Sequence, residues 1–514
     1  MSVHLFAPPD FTSIADARRR FISSIDYGLE SYRRQLATCM TAFDEVIRNA
    51  KMWEQMQPEP QARRLRSIFA ELRKNISQVP RLWEANEILL RELCCTECTI
   101  DHIELFPHTS SRGDGSALDA NADADTNAYA VANVGANAVC LYGGKCNGRS
   151  IETAVTEKRT EFSYDQIDQV FYHLVRDWSS LPSATAARSL LYRDGLLQAM
   201  DDFKPESTGT DGVKLNGWER AQVLVPGAAL GRLVVEIAAK GVQMVEANEL
   251  SYTMITVLHG LLHQFISSSL SSSSSSSSSS FYPYLSLPMI DEWSFASRLI
   301  AHNFPGADAN NCLDYLRNVH KHQQRTEIKL QAGSFMDIYS KPMYKNRYDA
   351  VVTSFFIDTG ADVLKCVAII SASLKVGGLW MNVGPLHYHS NETKVPLSFD
   401  LLKEVISEGG FELLYEKRII SDYSGESDRS MKPETYHVPL TVFRLVDGSK
   451  RFQEAAYGNY SDGDCDSIAE SGNCQNQSEL FDEEDKENEE DERAGEDEDE
   501  AYPSVNFVLT KSNR

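Results

Sequence analysis

Two glycines and a carboxylate carry the first chemistry legible in this chain. Gly227 and Gly231 lie in the segment Val223-Leu-Val-Pro-Gly-Ala-Ala-Leu-Gly231, between an apolar run and a helix-forming one. Glycine at such a turn lets the backbone adopt positive φ and come close to a bound group. Glu249 follows Gly227 by 22 residues, at the end of the next apolar run. A carboxylate there can accept hydrogen bonds from both hydroxyls of a ribose. The fingerprint G-x-G-x-x-G is absent because position 229 is alanine, so the spacing points to a nucleotide-type cofactor without specifying a dinucleotide. A tight turn beside a surface glutamate is the plainer alternative. Later, Ser354-Phe-Phe-Ile-Asp-Thr359 ends one apolar run, and Leu374-Lys-Val-Gly-Gly-Leu-Trp-Met-Asn-Val383 joins a helix end, a glycine pair and a buried strand. Taken by type alone, Asp358 could cap the helix after it, His389 could be a solvated surface histidine, and Trp178 and Tyr436 could be packing residues.

These residues need elements to position them. Ala221–Val225 reads as a strand, Gly231–Lys240 as a helix and Val242–Ala247 as a second strand. A helix over Ser251–Phe265 places Met254, Leu258, Leu261 and Phe265 on one face. Tyr348–Phe356 and Leu379–Val383 are further apolar strands, joined by a helical Ala361–Leu374. Strands alternating with helices imply an α/β fold, a mostly parallel and doubly wound Rossmann-like sheet. Ligands of such sheets bind beyond the carboxyl ends of the strands, where the strand order reverses. Before this body, Thr12 to about Leu93 reads as helical: Ile25, Leu29, Tyr32 and Leu36 fall on one face, and Leu65, Phe69, Leu72 and Ile76 on another.

Composition narrows the classes. The 514 residues are 42% hydrophobic, enough for a sizeable core. The net charge of −24 is concentrated in Asp462–Glu500, where nineteen acidic and two basic residues give −17 and leave −7 for the rest. No basic patch of the kind nucleic-acid binding needs is present. The opening Met1-Ser-Val-His-Leu-Phe-Ala-Pro-Pro lacks the form of a secretory signal. No stretch reaches the ~18 apolar residues of a membrane span. Ten cysteines without a secretory route imply reduced thiols, and the spacing of Cys94, Cys95 and Cys98 at a helix end is poor for zinc, so no metal is expected. Segments 108–148 (Asp, Ala, Asn and Gly), 267–280 (serine) and 462–500 (acidic) carry too little apolar bulk to repay ordering and read as disordered insertions or tail.

The segments Leu174-Val-Arg-Asp-Trp-Ser179, Val223–Gly231, Asn248-Glu249, Tyr282-Pro283, Ala332-Gly-Ser-Phe335 and Ile338-Tyr-Ser340 resemble, in this order, the carnosine N-methyltransferase family. Phe355-Phe-Ile-Asp-Thr359, Gly377-Gly-Leu-Trp380 and Asn382-Val-Gly-Pro-Leu-His-Tyr-His389 complete the set. The Leu-Lys-x-Gly-Gly turn is likewise similar to methyltransferases binding S-adenosylmethionine rather than to dehydrogenases. The resemblance implies a class I methyltransferase sheet over 163–446 with an N-terminal helical region over 11–100, and a methyl transfer to the imidazole of β-alanyl-histidine or a related histidine-containing dipeptide. It places S-adenosylmethionine among His173, Arg176, Gly227, Glu249, Ser334, Phe335 and Ser354. The acceptor would meet Asp358, His389 and Tyr436, with Asp358 as the catalytic group, accepting a hydrogen bond from the ring N–H. Tyr502, opening a candidate final strand over 502–511, is a rival to Tyr436. Four positions depart from the family pattern: Ala229 stands for a glycine, His173 for a glutamine, Ser334 for an acid and Ser354 for a cysteine. These departures leave open a cofactor-binding protein of the same fold without activity, and a protein histidine remains an alternative acceptor. The implied setting is the cytoplasm, with the nucleus as a second compartment and a homodimer as an open expectation; neither nucleic acid nor membrane is an expected partner.

Overall fold

A computed structural model of the chain describes residues 2–11, 13–94, 103–105, 167–204, 217–267, 279–287, 291–319, 326–388, 393–423, 429–432, 434–450 and 452. His389, Tyr502, segments 108–148, 462–500 and 502–511, and positions 268–278 of the serine tract lie outside them.

Eleven strands are formed by the described residues. β1 (Ser2–Phe6), β2 (Ile103–Glu104), β3 (Gln222–Pro226), β4 (Met244–Glu249), β7 (Glu327–Ala332), β8 (Tyr348–Ser354), β9 (Leu374–Val383), β10 (Phe411–Asp422) and β11 (Thr435–Leu445) make one sheet, while β5 (Ser279–Phe281) and β6 (His302–Phe304) pair separately. The large sheet runs β10-β11-β9-β8-β3-β4-β7-β1-β2. Only β11 runs against its neighbours β9 and β10; every other pair is parallel. Val223, Leu224, Val225, Val245, Ala247, Val351 and Val352 are almost without exposure, as central strands covered on both faces must be. The doubly wound sheet expected from the alternation of runs is therefore present. Its order reverses at β3: the chain proceeds through β4 and β7 on one side and through β8 and β9 on the other, which opens a crevice above the carboxyl ends of β3, β4 and β8.

The helices are α1 (Ile14–Gln55), α2 (Gln61–Ile76), α3 (Val79–Leu93), α4 (Ile167–Trp178), α5 (Pro182–Arg188), α6 (Gln198–Asp202), α7 (Arg232–Ala238), α8 (Tyr252–Ser267), α9 (Asn310–Val319), α10 (Phe335–Tyr339), α11 (Val363–Ser373) and α12 (Phe399–Glu408), with a π-helical turn over Ser189–Leu197. The predicted N-terminal helical region is α1 to α3. Ile25, Leu29 and Tyr32 are buried and Leu36 packs beside them. Tyr32 stacks on Trp83 at 4.3 Å, and Asn86 donates to the Tyr32 hydroxyl at 3.0 Å and to the Tyr282 carbonyl at 2.8 Å. These contacts fix the helical region to the body through the Tyr282-Pro283 segment.

Two features differ from the sequence expectation. The chain begins with a strand: β1 pairs with β7 from Ser2 opposite Glu327 to Phe6 opposite Gln331, and Leu5 is fully buried. Five residues ahead of two prolines give almost no local pattern, and the pairing that orders them lies more than 300 positions away in the chain. Gly377 and Gly378 also lie inside a strand, because β9 starts at Leu374. Between the pairs Tyr348↔Leu374 and Ala350↔Leu379 the two strands slip register, so the glycines form a bulge, with φ +86° at Gly377. Cys39, Cys312 and Cys366 are unbridged thiols. Among the described residues no helix is long and apolar enough to cross a membrane.

Candidate active site

The turn after β3 is forced by its surroundings. Gly227, Ala229 and Gly231 all have positive φ, at +63°, +47° and +76°. A Cβ on Gly227 would lie 2.6 Å from the Phe356 ring, and one on Gly231 would lie 2.3 Å from a Leu258 methyl carbon. No larger side chain fits either position without displacing its neighbour. Ala229 accepts the left-handed conformation at some cost, and its N–H donates to Glu249 Oε2 at 2.9 Å. The other carboxylate oxygen accepts from Ser251 N–H at 3.0 Å. Glu249 is thus held across the end of β4 by two backbone amides, and an ionised carboxylate with about four acceptor positions retains capacity for further donors. Asn248 ties β4 to the end of β7, donating to the carbonyls of Gln331 and Gly333 at 3.1 and 2.9 Å.

Ser334 and Phe335 follow β7 directly. The Ser334 side chain caps α10 by accepting from Asp337 N–H at 3.4 Å, so its hydroxyl has a structural use in place of the acid of the family pattern. Phe335 is buried and meets Phe356 edge to face at 5.2 Å. Phe356 therefore packs across the bare Cα of Gly227 and against Phe335.

The Arg176-Asp177-Trp178 segment closes the crevice from α4. Trp178 donates from its indole nitrogen to the Leu230 carbonyl at 2.8 Å, which anchors the glycine turn. Arg176 makes a two-pronged pair with Asp177, 2.8 Å from Nε to Oδ1 and 3.3 Å from Nη2 to Oδ2, and donates from Nη1 to the Tyr423 hydroxyl at 2.5 Å. Burial works against its charge, but Asp177 and the adjacent tyrosines outweigh burial and hold the guanidinium protonated. Tyr192 reaches the same spot and bonds Ser354, its hydroxyl pushed up to about 12 chiefly by burial.

His173, one turn before Arg176, is half-buried, and its buried Nδ1 has no hydrogen-bond partner among the described residues. Burial, reinforced by the Arg176 charge, lowers its pKa to about 3. The ring is neutral in the folded chain, whereas an unfolded histidine takes up a proton near pH 6.5. The folded state therefore loses stability as pH falls from about 6.5 toward about 3, by at most ~1.4 kcal/mol per pH unit, and loses nothing more below that. His173→Gln removes this group. Its denaturation midpoint is expected to fall less than that of the parent chain between pH 7 and pH 5; equal losses in the two proteins would contradict the assignment.

Beyond β8 the chain turns sharply. Phe355 has φ +50° and Gly384 φ +154°, and a Cβ on Gly384 would lie 2.8 Å from the Phe355 backbone nitrogen. Asp358 is 2% exposed, and its Oδ2 accepts from His387 N–H at 2.6 Å. Its Oδ1 has no hydrogen-bond partner among the described residues. The helix-cap reading of Asp358 is excluded, since Asp362 caps α11 by accepting from Lys365 N–H at 2.9 Å. Phe355 packs against Tyr423 at 4.9 Å and Tyr436 at 5.7 Å, and Tyr423 and Tyr436 meet at 6.4 Å. Tyr436 donates to Glu434 at 3.3 Å, and burial first, then Glu434, Tyr423 and Asp358, raise its pKa. The Tyr388 hydroxyl bridges the backbone N–H and C=O of Leu397 at 3.0 and 2.6 Å, fixing the segment that leads to His389.

The described residues thus bring His173, Arg176 and Ser354 around Tyr192 and Tyr423, set Gly227, Glu249, Ser334 and Phe335 along the strand ends, and put Asp358 near Tyr436. Sequence reasoning missed Tyr423, Tyr192, Asp177 and Phe356. Phe356 and Asp177 sat inside quoted motifs and could have been weighed there. Tyr423 and Tyr192 carried no local signal, because one follows a largely exposed strand and the other lies in a π-helical turn.

The family model described as carnosine N-methyltransferase matches residues 154–446. A carnosine N-methyltransferase of Rattus norvegicus is 30% identical over 307 residues, which are 59% of this chain and 67% of the relative. One from Schizosaccharomyces pombe is 28% identical over 307 residues, 56% of this chain and 73% of the relative. A solved structure of Haemonchus contortus phosphoethanolamine N-methyltransferase 2 with S-adenosyl-L-methionine is 14% identical, covering 51% of this chain and 44% of that one at a TM-score of 0.26.

Proposed function

The chain belongs to the carnosine N-methyltransferase family, and from that membership we infer that it transfers a methyl group from S-adenosylmethionine to an imidazole nitrogen of carnosine, giving an anserine-type product. The observation that carries the reading to this chain's own residues is Asp358: a buried carboxylate at the end of β8, with Oδ2 tied to His387 N–H and aromatic rings beside it. A carboxylate so placed suits a ring that donates one N–H and gains positive charge.

The residues fit the methyl donor. Gly227 leaves the turn bare where a Cβ would strike the Phe356 ring, Glu249 stands at the strand end where ribose hydroxyls are bound, and the buried His173 Nδ1 is a polar atom in need of a partner. Arg176 offers a charge suited to the donor's carboxylate. When bound, S-adenosylmethionine supplies a sulfonium methyl group already activated for displacement. The chain itself has to hold the acceptor, select its tautomer and exclude water. Asp358 Oδ1 would accept the N–H of the acceptor ring, which leaves the lone pair of the other nitrogen directed away from the carboxylate. As the ring becomes cationic, Asp358 provides the counter-charge, and Phe355, Tyr423 and Tyr436 provide π-faces and edges for the ring. The departures at Ala229 and Ser334 leave this arrangement in place, because Ala229 N–H still meets Glu249 and Ser334 caps α10.

A methyl-transfer assay on carnosine, with mass-spectrometric localisation of the methyl on the imidazole, tests the reading. Methylation of protein histidines with none on carnosine would replace the proposed acceptor.

A further inference from the structure

We propose that Arg429, Glu292 and Arg298 form a latch that pins residues 429–431 ahead of Tyr436 on the acceptor side of the site, making Glu292 and Arg429 positioning residues for the methyl acceptor. The latch rests on the assignment of Asp358 and Tyr436 to that side. Glu292 takes one guanidinium on each oxygen: Arg298 Nε donates to Oε2 at 2.8 Å, and Arg429 Nη1 to Oε1 at 2.9 Å. Arg298 has no exposed surface and Glu292 8%. Arg298 is itself fixed by the carbonyls of Tyr284 and Leu287, and Arg429 stands over the Tyr284 ring at 4.5 Å. The backbones are sewn together at the same place. Trp293 N–H donates to the Arg429 carbonyl at 3.2 Å, Met431 N–H to the Asp291 carbonyl at 2.7 Å, and the Trp293 indole to the Ser430 carbonyl at 3.2 Å.

The position of this cluster gives it a role. The β10–β11 ladder ends at Asp422 opposite Thr435, with Ser421 opposite Tyr436. Tyr436 therefore stands at the start of β11, and residues 429–431, five to seven positions before it, are the ones pinned to 291–293. Charge-assisted bonds in a nearly dry setting are strong and directional, and removing one partner leaves the remaining charges buried and uncompensated. Without the latch the ladder can persist, while the start of β11 loses the restraint that holds Tyr436 against Phe355. The donor side is anchored elsewhere, by Glu249 on the backbone of Ala229 and Ser251 and by Trp178 on Leu230.

The test compares Arg429→Met, Glu292→Gln, their double variant and Arg429→Lys in the full chain. Steady-state kinetics give KM and kcat for carnosine, and calorimetry gives Kd for S-adenosylmethionine. The proposal expects KM to rise about tenfold in each single variant, with Kd for the donor within about twofold. It expects the double variant to be no worse than the weaker single one, because both act through one cluster, and Arg429→Lys to recover most of the loss. Amide exchange at Met431 and Trp293 should quicken in Arg429→Met. KM unchanged in the single variants, or KM and donor Kd rising together with a lowered Tm, would overturn the latch. Wild-type turnover on carnosine checks the underlying assignment separately: its absence overturns both, and its presence with unchanged KM in the variants overturns the latch alone.

Discussion

Asp358→Asn is expected to bind S-adenosylmethionine within about twofold of the parent chain while its kcat on carnosine falls by roughly 10²–10⁴. The two oxygens of Asp358 have separate duties. Oδ2 accepts the His387 N–H at 2.6 Å, and an asparagine oxygen can keep that bond, so the segment from Gly384 to Tyr388 stays in place. What asparagine cannot supply is a second anionic oxygen for the acceptor ring. The acceptor would lose the tautomer preference and the counter-charge together, and both matter most as the ring turns cationic. Asp358→Ala removes the His387 bond as well, so its additional loss over asparagine measures the positioning part. Donor affinity should be indifferent to both changes, because the turn, Glu249 and Arg176 are anchored without Asp358. A kcat in Asp358→Asn equal to that of the parent chain would remove Asp358 from the chemistry, whatever happens to KM.

The division of duties at Asp358 also marks how far the sequence could be read. Asp358 and Asp362 both stand just ahead of a helix-forming run, and nothing in spacing says which one caps it. The backbone settles this, since Asp362 reaches Lys365 N–H and Asp358 turns to His387. Apolar runs alternating with helical ones made β3, β4, β8 and their helices legible, because burial on both faces leaves a local trace in composition. β1 left none; it is ordered by pairing with β7, so its information lies in another part of the chain. The glycine pair at Gly377-Gly378 was visible as a break, but whether it precedes the strand or bulges within it depends on the register against β8. Gly227 was legible as a turn, whereas the reason for it, the Phe356 ring 2.6 Å from where a Cβ would lie, needed the fold. The same holds for Tyr423, whose contacts with Arg176, Phe355 and Tyr436 come from three other elements.

The mirror image of the Asp358 result is expected at the other end of the crevice. Glu249→Gln should weaken S-adenosylmethionine by roughly 10²–10³ in Kd and leave the fold standing. In the parent chain each carboxylate oxygen holds one backbone amide, Ala229 N–H at 2.9 Å and Ser251 N–H at 3.0 Å, and retains acceptor capacity. Glutamine has a single acceptor oxygen and places an NH₂ group where the second oxygen was. It can serve one of the two amides, so either the Ala229 turn or the Ser251 start of α8 loses its partner, and the carboxylate's charged hydrogen bonds to ribose hydroxyls are lost as well. Hydrogen bonds to a charged group contribute about 1.5–3 kcal/mol each, so losing two of them gives roughly the stated range after the remaining neutral bond is allowed for. Ala229 makes the effect sharper here than a glycine would: its φ of +47° is a conformation an alanine resists, and the Glu249 bond helps to hold it. Glu249→Gln with added Ala229→Gly should therefore recover part of the lost affinity by relaxing the turn, whereas Ala229→Gly alone should change little. At saturating donor the kcat of Glu249→Gln should approach that of the parent chain, opposite to Asp358→Asn. Donor binding in Glu249→Gln within about threefold of the parent would place the ribose away from β4 and take the cofactor assignment of the turn with it.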